Sequence, residues 1–145
     1  MARSKGSAAK SVEMLRSVPL FSNLSDRQLR SIAGQSREVS FPAGKEICKQ
    51  GDTGVGMHVV LEGQTKVQIN GRTRKKLGPG AFFGEIALLD GGPRTASVIA
   101  ETDVHTISIP HWNFRTLLKE QPPLALKMLE ETCKRLREEN AWLPG

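Results

Sequence analysis

FGEIALLDGGPRTASV, residues 83–98, breaks a β-rich stretch with one helix-forming turn and a loop that ends on an arginine. Glu85–Leu89 consists mostly of good helix formers introduced by Gly84, so a short helix is predicted there, with its first backbone N–H groups unpaired. Such a helix start attracts anions. Nine residues after Glu85, Arg94 opens the next strand. A guanidinium at that point can clamp a phosphate through paired hydrogen bonds, with the Thr95 hydroxyl beside it. Glu85 can accept a bond from a sugar hydroxyl, as the acid of dinucleotide sites does. A carboxylate, an arginine and free amides around one point suit a sugar phosphate. From composition and spacing alone, a structural ion pair between Glu85 and Arg94 stays open.

On either side the pattern is β. Glu38–Phe41, Met57–Leu61, Gln64–Ile69, Ala96–Ala100 and Val104–Ile109 are rich in β-branched residues. Pro42-Ala43-Gly44, Gly51-Asp52, Gly63, Asn70-Gly71, Gly78-Pro79-Gly80 and Gly91-Gly92-Pro93 separate them. Short strands at such spacing imply a sandwich or barrel over about residues 37–109. Asn70-Gly71 is the sharpest turn signal, since both residues tolerate the positive φ of a type I′ turn. Eleven of the 14 glycines fall between Gly44 and Gly92, which suits a tightly turned unit.

Helices flank this unit. Residues 1–10, small, polar and basic, read as a flexible leader. Ser25-Asp26-Arg27-Gln28 is a capping box, followed by Leu29 and Ile32, while Leu20, Phe21 and Leu24 precede or join that helix. After Pro110, a helix is predicted over His111–Glu120 and a longer one over Leu124–Asn140, with 141–145 as a tail. Leu129, Thr132, Cys133 and Leu136 share one face of the last helix. Packing on the domain's own core and pairing in a homodimer are both open for that face.

The chain has 145 residues, 38% of them hydrophobic and 25% charged, which suits one globular domain. No apolar run approaches the roughly 20 residues of a membrane span, and no signal peptide is visible. Cys48 and Cys133 form no CxxC, which argues against a zinc module and a disulfide scaffold and sets the cytoplasm as the default compartment. The net charge of +6 hints at nucleic acid. Its distribution says otherwise. The first twenty residues carry four cations against Glu13, and Lys66, Arg72, Arg74, Lys75 and Lys76 meet no acid between 66 and 76. A solvated leader and a basic hairpin account for the excess, and direct nucleic-acid binding is not expected.

FGEIALLDGGPRTASV resembles the phosphate-binding cassette of cyclic nucleotide-binding domains, the family of catabolite activators, kinase regulatory subunits and cyclic nucleotide-gated channels. Gln50-Gly51-Asp52, Met57–Gly63 and Gly80–Glu85 also fall where that family's pattern puts them, and the resemblance covers roughly residues 18–140. It implies a mainly β fold with flanking helices: a β-roll (a jelly-roll-like double-stranded β-helix) with N-terminal helices, a short cassette helix and two C-terminal helices. The domain would occupy residues 11–140.

By the same resemblance, Arg94 would pair with the exocyclic oxygens of a cyclic phosphate, with Thr95 and Ala96 adding contacts. Glu85 would hold the ribose 2′-OH, near Gly84 and Ile86. Val67, Leu77 and Ala87 would bear the base. The last helix would close over it, bringing Arg135 and Leu136. Lys75 falls where a channel-type pocket is apolar, so an outward side chain or a shifted hairpin register is expected. His58, where the family often has an aromatic, is expected to be a packed strand histidine rather than a pH sensor. Thr95 can also bond the 2-amino group of a syn guanine, yet cAMP is favoured over cGMP as the ligand.

The implied function is a cyclic nucleotide-binding regulatory module, with neither metal nor cofactor, that signals to an unidentified effector through its C-terminal helix. His58, His105 and His111 form no metal-ligand cluster, which argues against a metal-dependent phosphodiesterase. No helix-turn-helix follows the last helix, so direct transcription control is not expected. Met1 and the leader point to a complete small protein; the alternative is a regulatory domain cut from a longer channel, kinase or transcription regulator.

Overall fold

A computed structural model describes residues 7–53, 56–84 and 92–139. Two four-stranded antiparallel sheets form the centre. Strands β1 (Arg37–Phe41), β3 (Gly56–Glu62), β6 (Phe82–Phe83) and β8 (Val104–Pro110) make one sheet, in the order β1-β8-β3-β6. Strands β2 (Glu46–Cys48), β4 (Thr65–Ile69), β5 (Arg72–Leu77) and β7 (Ser97–Ala100) make the other, in the order β2-β7-β4-β5. The mainly β architecture with flanking helices is the one expected. β2 and β6 are three and two residues long, too short to show a period.

Among the described residues, four helices share a core with the first sheet: α1 (Ser7–Arg16), α2 (Asp26–Gln35), α3 (His111–Glu120) and α4 (Pro122–Glu139), with a 3-10 turn at Pro19–Phe21. α1 begins inside the segment read as a leader. Ala8, Ala9 and Lys10 are good helix formers, and Val12 and Leu15 bury the next turns. α2 starts on the expected capping box: Gln28 N–H donates to Ser25 Oγ at 3.2 Å, and Ser25 N–H donates to Gln28 Oε1 at 2.9 Å.

The period-2 rule explains the two cores. Met57, Val59, Ile107 and Ile109 point from β3 and β8 to the helices, where Leu15, Phe21, Leu29, Ile32, Leu117 and Leu124 meet them. Val60 and Val104 point the other way, into the roll with Ala100. Phe82 joins the helical core while its neighbour Phe83 faces Cys48, Val67 and Val98 between the sheets. Asn70 and Gly71 have φ of +53° and +79°, as a type I′ hairpin requires.

The last helix buries a different stripe from the one that Leu129 and Leu136 mark. It docks through Leu124 and Met128, which are buried, whereas Leu129 is 59% exposed, Leu136 54% and Leu126 60%. The inward stripe runs through 124 and 128, so Leu129 lies on the far side and does not pack on its own domain. No helix among the described residues is long and apolar enough to cross a membrane.

Candidate functional site

The backbone of Arg94 is held to the loop before β3. Gly51 N–H donates to Arg94 O at 2.9 Å, and Arg94 N–H donates to Asp52 O at 2.8 Å. Gln50 N–H donates to Ser97 Oγ at 3.0 Å, and the Gln50 side chain also receives Asn70 N–H at 2.8 Å. Gln50-Gly51-Asp52 thus fixes the backbone from which Arg94 projects and braces the Asn70 turn.

Arg94 is 8% exposed. Its guanidinium donates to Gly84 O at 3.0 Å and to Gly56 O at 2.7 Å. No acid among the described residues pairs with it. A guanidinium has five N–H groups, so among the described residues three remain after these two bonds. Gly84, at φ +89°, lets the chain pass this close: a Cβ there would collide with Arg94 Nη1 and stand 3.0 Å from Gly56 O.

These residues border a cavity of about 320 Å³. One end is formed by Gly84, Arg94, Thr95 and Ala96, and the sheet wall by Val67, Leu77, Cys48 and Val98. Thr132, Arg135 and Leu136 of α4 complete it. Eight of the residues expected at a ligand site therefore share one space. The other three, Glu85, Ile86 and Ala87, lie with the expected cassette helix outside the described residues.

Arg135 reaches further. Its guanidinium lies over the Phe82 ring, 4.2 Å from the centroid, and donates to Phe82 O. α4 is thereby tied to β6 at the edge of the cavity.

Of the two expectations for Lys75, the shifted hairpin register holds and the outward side chain does not. Its neighbours Arg74 and Lys76 are exposed, but Lys75 is half-buried and lines the cavity beside Val67 and Ile69. The hairpin register shifts between Val67 and Gln68: Gln68 pairs with Thr73 and Val67 with Lys75. Arg74 is the extra residue of a bulge, which turns Lys75 onto the inner face. Cys48, Ile69, Phe83 and Thr132 were also missed as cavity residues. Only the alternation around Val67 pointed to Ile69; the others are brought in by long-range pairing.

His58 packs as expected. It stacks on Phe83 with centroids 5.1 Å apart, meets Phe41 edge-on at 5.7 Å, and its Nδ1 lies 3.1 Å from Thr106 Oγ1. Burial, and then the nearby Arg94 charge, lower its pKa to about 4. It is neutral near pH 7. No group of metal-ligating side chains occurs among the described residues.

Comparison with known proteins agrees with this geometry. The cyclic nucleotide-binding domain family model matches residues 38–121. The chain is 37% identical over 121 residues to a cyclic nucleotide-gated potassium channel of Mesorhizobium japonicum, covering 83% of this chain and 34% of the channel. It is similar to the crystal structure of the Thermus thermophilus catabolite activator protein, with TM-score 0.75 and 31% identity over 85% of this chain and 60% of that one. The regulatory domain of Toxoplasma gondii PKA, crystallised with cAMP, superposes with TM-score 0.77 and 25% identity over 88% of this chain and 50% of that one. The chain thus spans about a third of the channel's length and 60% of the activator's. A family model matching more than half of the chain, on a roll whose cavity is built around a buried arginine, makes this chain a member of the cyclic nucleotide-binding domain family.

Proposed function

We propose that this chain is a regulatory sensor that takes a cyclic nucleotide, cAMP first, into the 320 Å³ cavity and signals its occupancy through α4. The observation that carries the reading is Arg94: a buried cation whose two partners among the described residues are neutral carbonyls, at one end of a cavity with an apolar wall. Its remaining donors suit the exocyclic oxygens of a cyclic phosphate, with Thr95 and Ala96 beside them. Glu85 takes the ribose 2′-OH, with Gly84 and Ile86 near it. Val67, Leu77 and Ala87 bear the base, and Arg135 and Leu136 close over it.

No catalytic step belongs to this reading, and incubation with cAMP should return it unchanged. Cys48 and Cys133 form no disulfide among the described residues, which supports a reducing compartment and hence the cytoplasm. The effector is a protein or domain that reads the position of α4. The exposed face of Leu126 and Leu129 supports a homodimer seam, which sedimentation with and without ligand tests.

Calorimetric titration with cAMP and cGMP, on the wild type and on Arg94→Ala, tests the core of the proposal. The wild type should bind cAMP more tightly than cGMP. The variant should lose at least the ~1.5–3 kcal/mol of a charge-assisted hydrogen bond, about ten- to a hundredfold in affinity. Unchanged affinity in a folded variant refutes the phosphate assignment.

A further inference from the structure

Gln121 closes one helix and opens the next. Its N–H donates to Leu117 O at 2.9 Å, the last bond of α3. Its backbone carbonyl accepts Leu124 N–H at 3.0 Å and Ala125 N–H at 3.3 Å, the first bonds of α4. The chain thus passes from α3 to α4 through this one residue. Of the hydrophobic side chains described in α4, only Leu124 and Met128 are buried, and Arg135 ties the far end of the helix to Phe82 O.

The Gln121 side chain is 3% exposed, and its buried Oε1 accepts no hydrogen bond. No other buried side-chain oxygen or nitrogen among the described residues is left so. The local sequence accounts for it. A side chain at the start of a helix ordinarily accepts the N–H of the second or third helical residue. Here the first two are Pro122 and Pro123, which have no N–H, and the third, Leu124, gives its N–H to the Gln121 backbone carbonyl. A carbonyl oxygen sealed from water without a donor raises the free energy of whatever arrangement seals it.

We propose that Gln121 is a positioning residue that weakens the docked state of α4 and so sets how tightly and how long the ligand is held. The inference rests on the sensor reading above, in which α4 lies over a filled cavity. Docked, α4 shuts Oε1 away between the two helices that Gln121 joins. Released, α4 turns about Gln121 and water reaches the oxygen. The penalty therefore falls on the docked state alone. Leu124, Met128 and Arg135 hold α4 less firmly than they would beside an apolar side chain at 121. A ligand that requires α4 docked must make up the difference, and its affinity drops by the same factor.

The test replaces the acceptor and keeps the shape. Gln121→Met preserves the length of the side chain and removes its carbonyl; Gln121→Leu repeats the change with a different packing. cAMP binding is measured by calorimetry, release of a fluorescent cyclic nucleotide by stopped flow, and the urea midpoint without ligand. Removing one unsatisfied buried acceptor should tighten cAMP by about tenfold, expressed as a slower off-rate, with the ligand-free midpoint unmoved. A higher ligand-free midpoint with unchanged affinity would mean that the oxygen is sealed whether or not the site is filled, a structural role only, and overturns the proposal. Weaker binding or a lower midpoint in both variants would mean that Oε1 has a partner worth keeping, and overturns it as well. So does no change in any of the three measurements. If the wild type binds no cyclic nucleotide, the sensor reading itself falls, and that result is distinct from a wild type that binds but does not depend on Gln121.

Discussion

Adding one methyl group at Gly84 should disable the candidate site without removing any side chain from it. Alanine at Gly84 would have to hold a φ of +89°, at a cost of about 1–2 kcal/mol for an L-residue. Its Cβ would also collide with Arg94 Nη1 and lie 3.0 Å from Gly56 O. Overpacking of this kind costs about 1–3 kcal/mol. Gly44 has the same φ of +89° and nothing within 4 Å of its Cβ position, so Gly44→Ala meets the first cost and not the second. The difference between the two variants is therefore the collision alone. With a urea m-value of about 1–3 kcal/mol/M, Gly84→Ala should unfold at a midpoint lower than Gly44→Ala by about 1 M. It should also bind cyclic nucleotide about tenfold or more weakly, because the displaced guanidinium no longer holds the phosphate. Gly44→Ala should bind as the wild type does. Equal midpoints for the two variants, together with wild-type affinity in Gly84→Ala, would refute the placement of Arg94 against Gly84.

Two further outcomes follow from the same geometry. The pKa of His58 in the fold, about 4, is below its ordinary 6.5, so folding favours the neutral ring. Its contribution is complete above about pH 6.5 and is lost as pH falls toward 4, as much as about 3 kcal/mol less what solvent at the half-buried ring screens. His58→Phe should flatten the urea midpoint between pH 6.5 and 4 relative to the wild type; parallel profiles would exclude His58 as the source. Arg135→Leu removes the bond to Phe82 O and the stacking on its ring. Stopped-flow release of a fluorescent cyclic nucleotide should quicken by about tenfold, and an unchanged off-rate would mean that α4 does not retain the ligand.

What the sequence made legible is what local chemistry decides. The capping box at Ser25 and Gln28 is a reciprocal pair within one turn, and Asn70-Gly71 reports its own φ. The long strands β3 and β8 carry their alternation openly. Arg94 stood out because a glycine-introduced turn and an arginine nine residues on share one short stretch, but it was the resemblance to the family's cassette, not the spacing, that favoured a phosphate over an ion pair with Glu85. Its partners were not: both are backbone carbonyls, of Gly56 and Gly84, and a carbonyl has no residue type. Nor was Lys75. The turn signal predicts a two-residue hairpin, and a one-residue bulge beyond it reverses which face each side chain takes. β6 exists because Phe82 and Phe83 pair with Val59 and His58, a contact made across more than twenty residues of chain. The two roles open for the Leu129 face could not be separated from sequence, because 124 and 128, 132 and 136, and 126 and 129 are all helical spacings, and only the docked helix shows which faces the core, the cavity and the outside.

The proposed sensor would couple charge and closure at this site. Lys75 comes from β5, Arg94 from the loop before β7 and Arg135 from α4, yet all three line one cavity. Like charges around a partly dry space raise the free energy of bringing those elements together. Carbonyls absorb part of that: Gly56 and Gly84 take Arg94, and Phe82 takes Arg135. In the proposed sensor, an anion on Arg94 lowers the remainder, so filling the cavity and docking α4 favour each other. The coupling is reciprocal, since whatever holds α4 in place must tighten the ligand by the same factor. No separate transmission path is needed, because a ligand with higher affinity for the docked state shifts the helix by that difference alone. A neutral ligand of the same shape would still lie on Val67 and Leu77, but without the charge it would pull far less on α4.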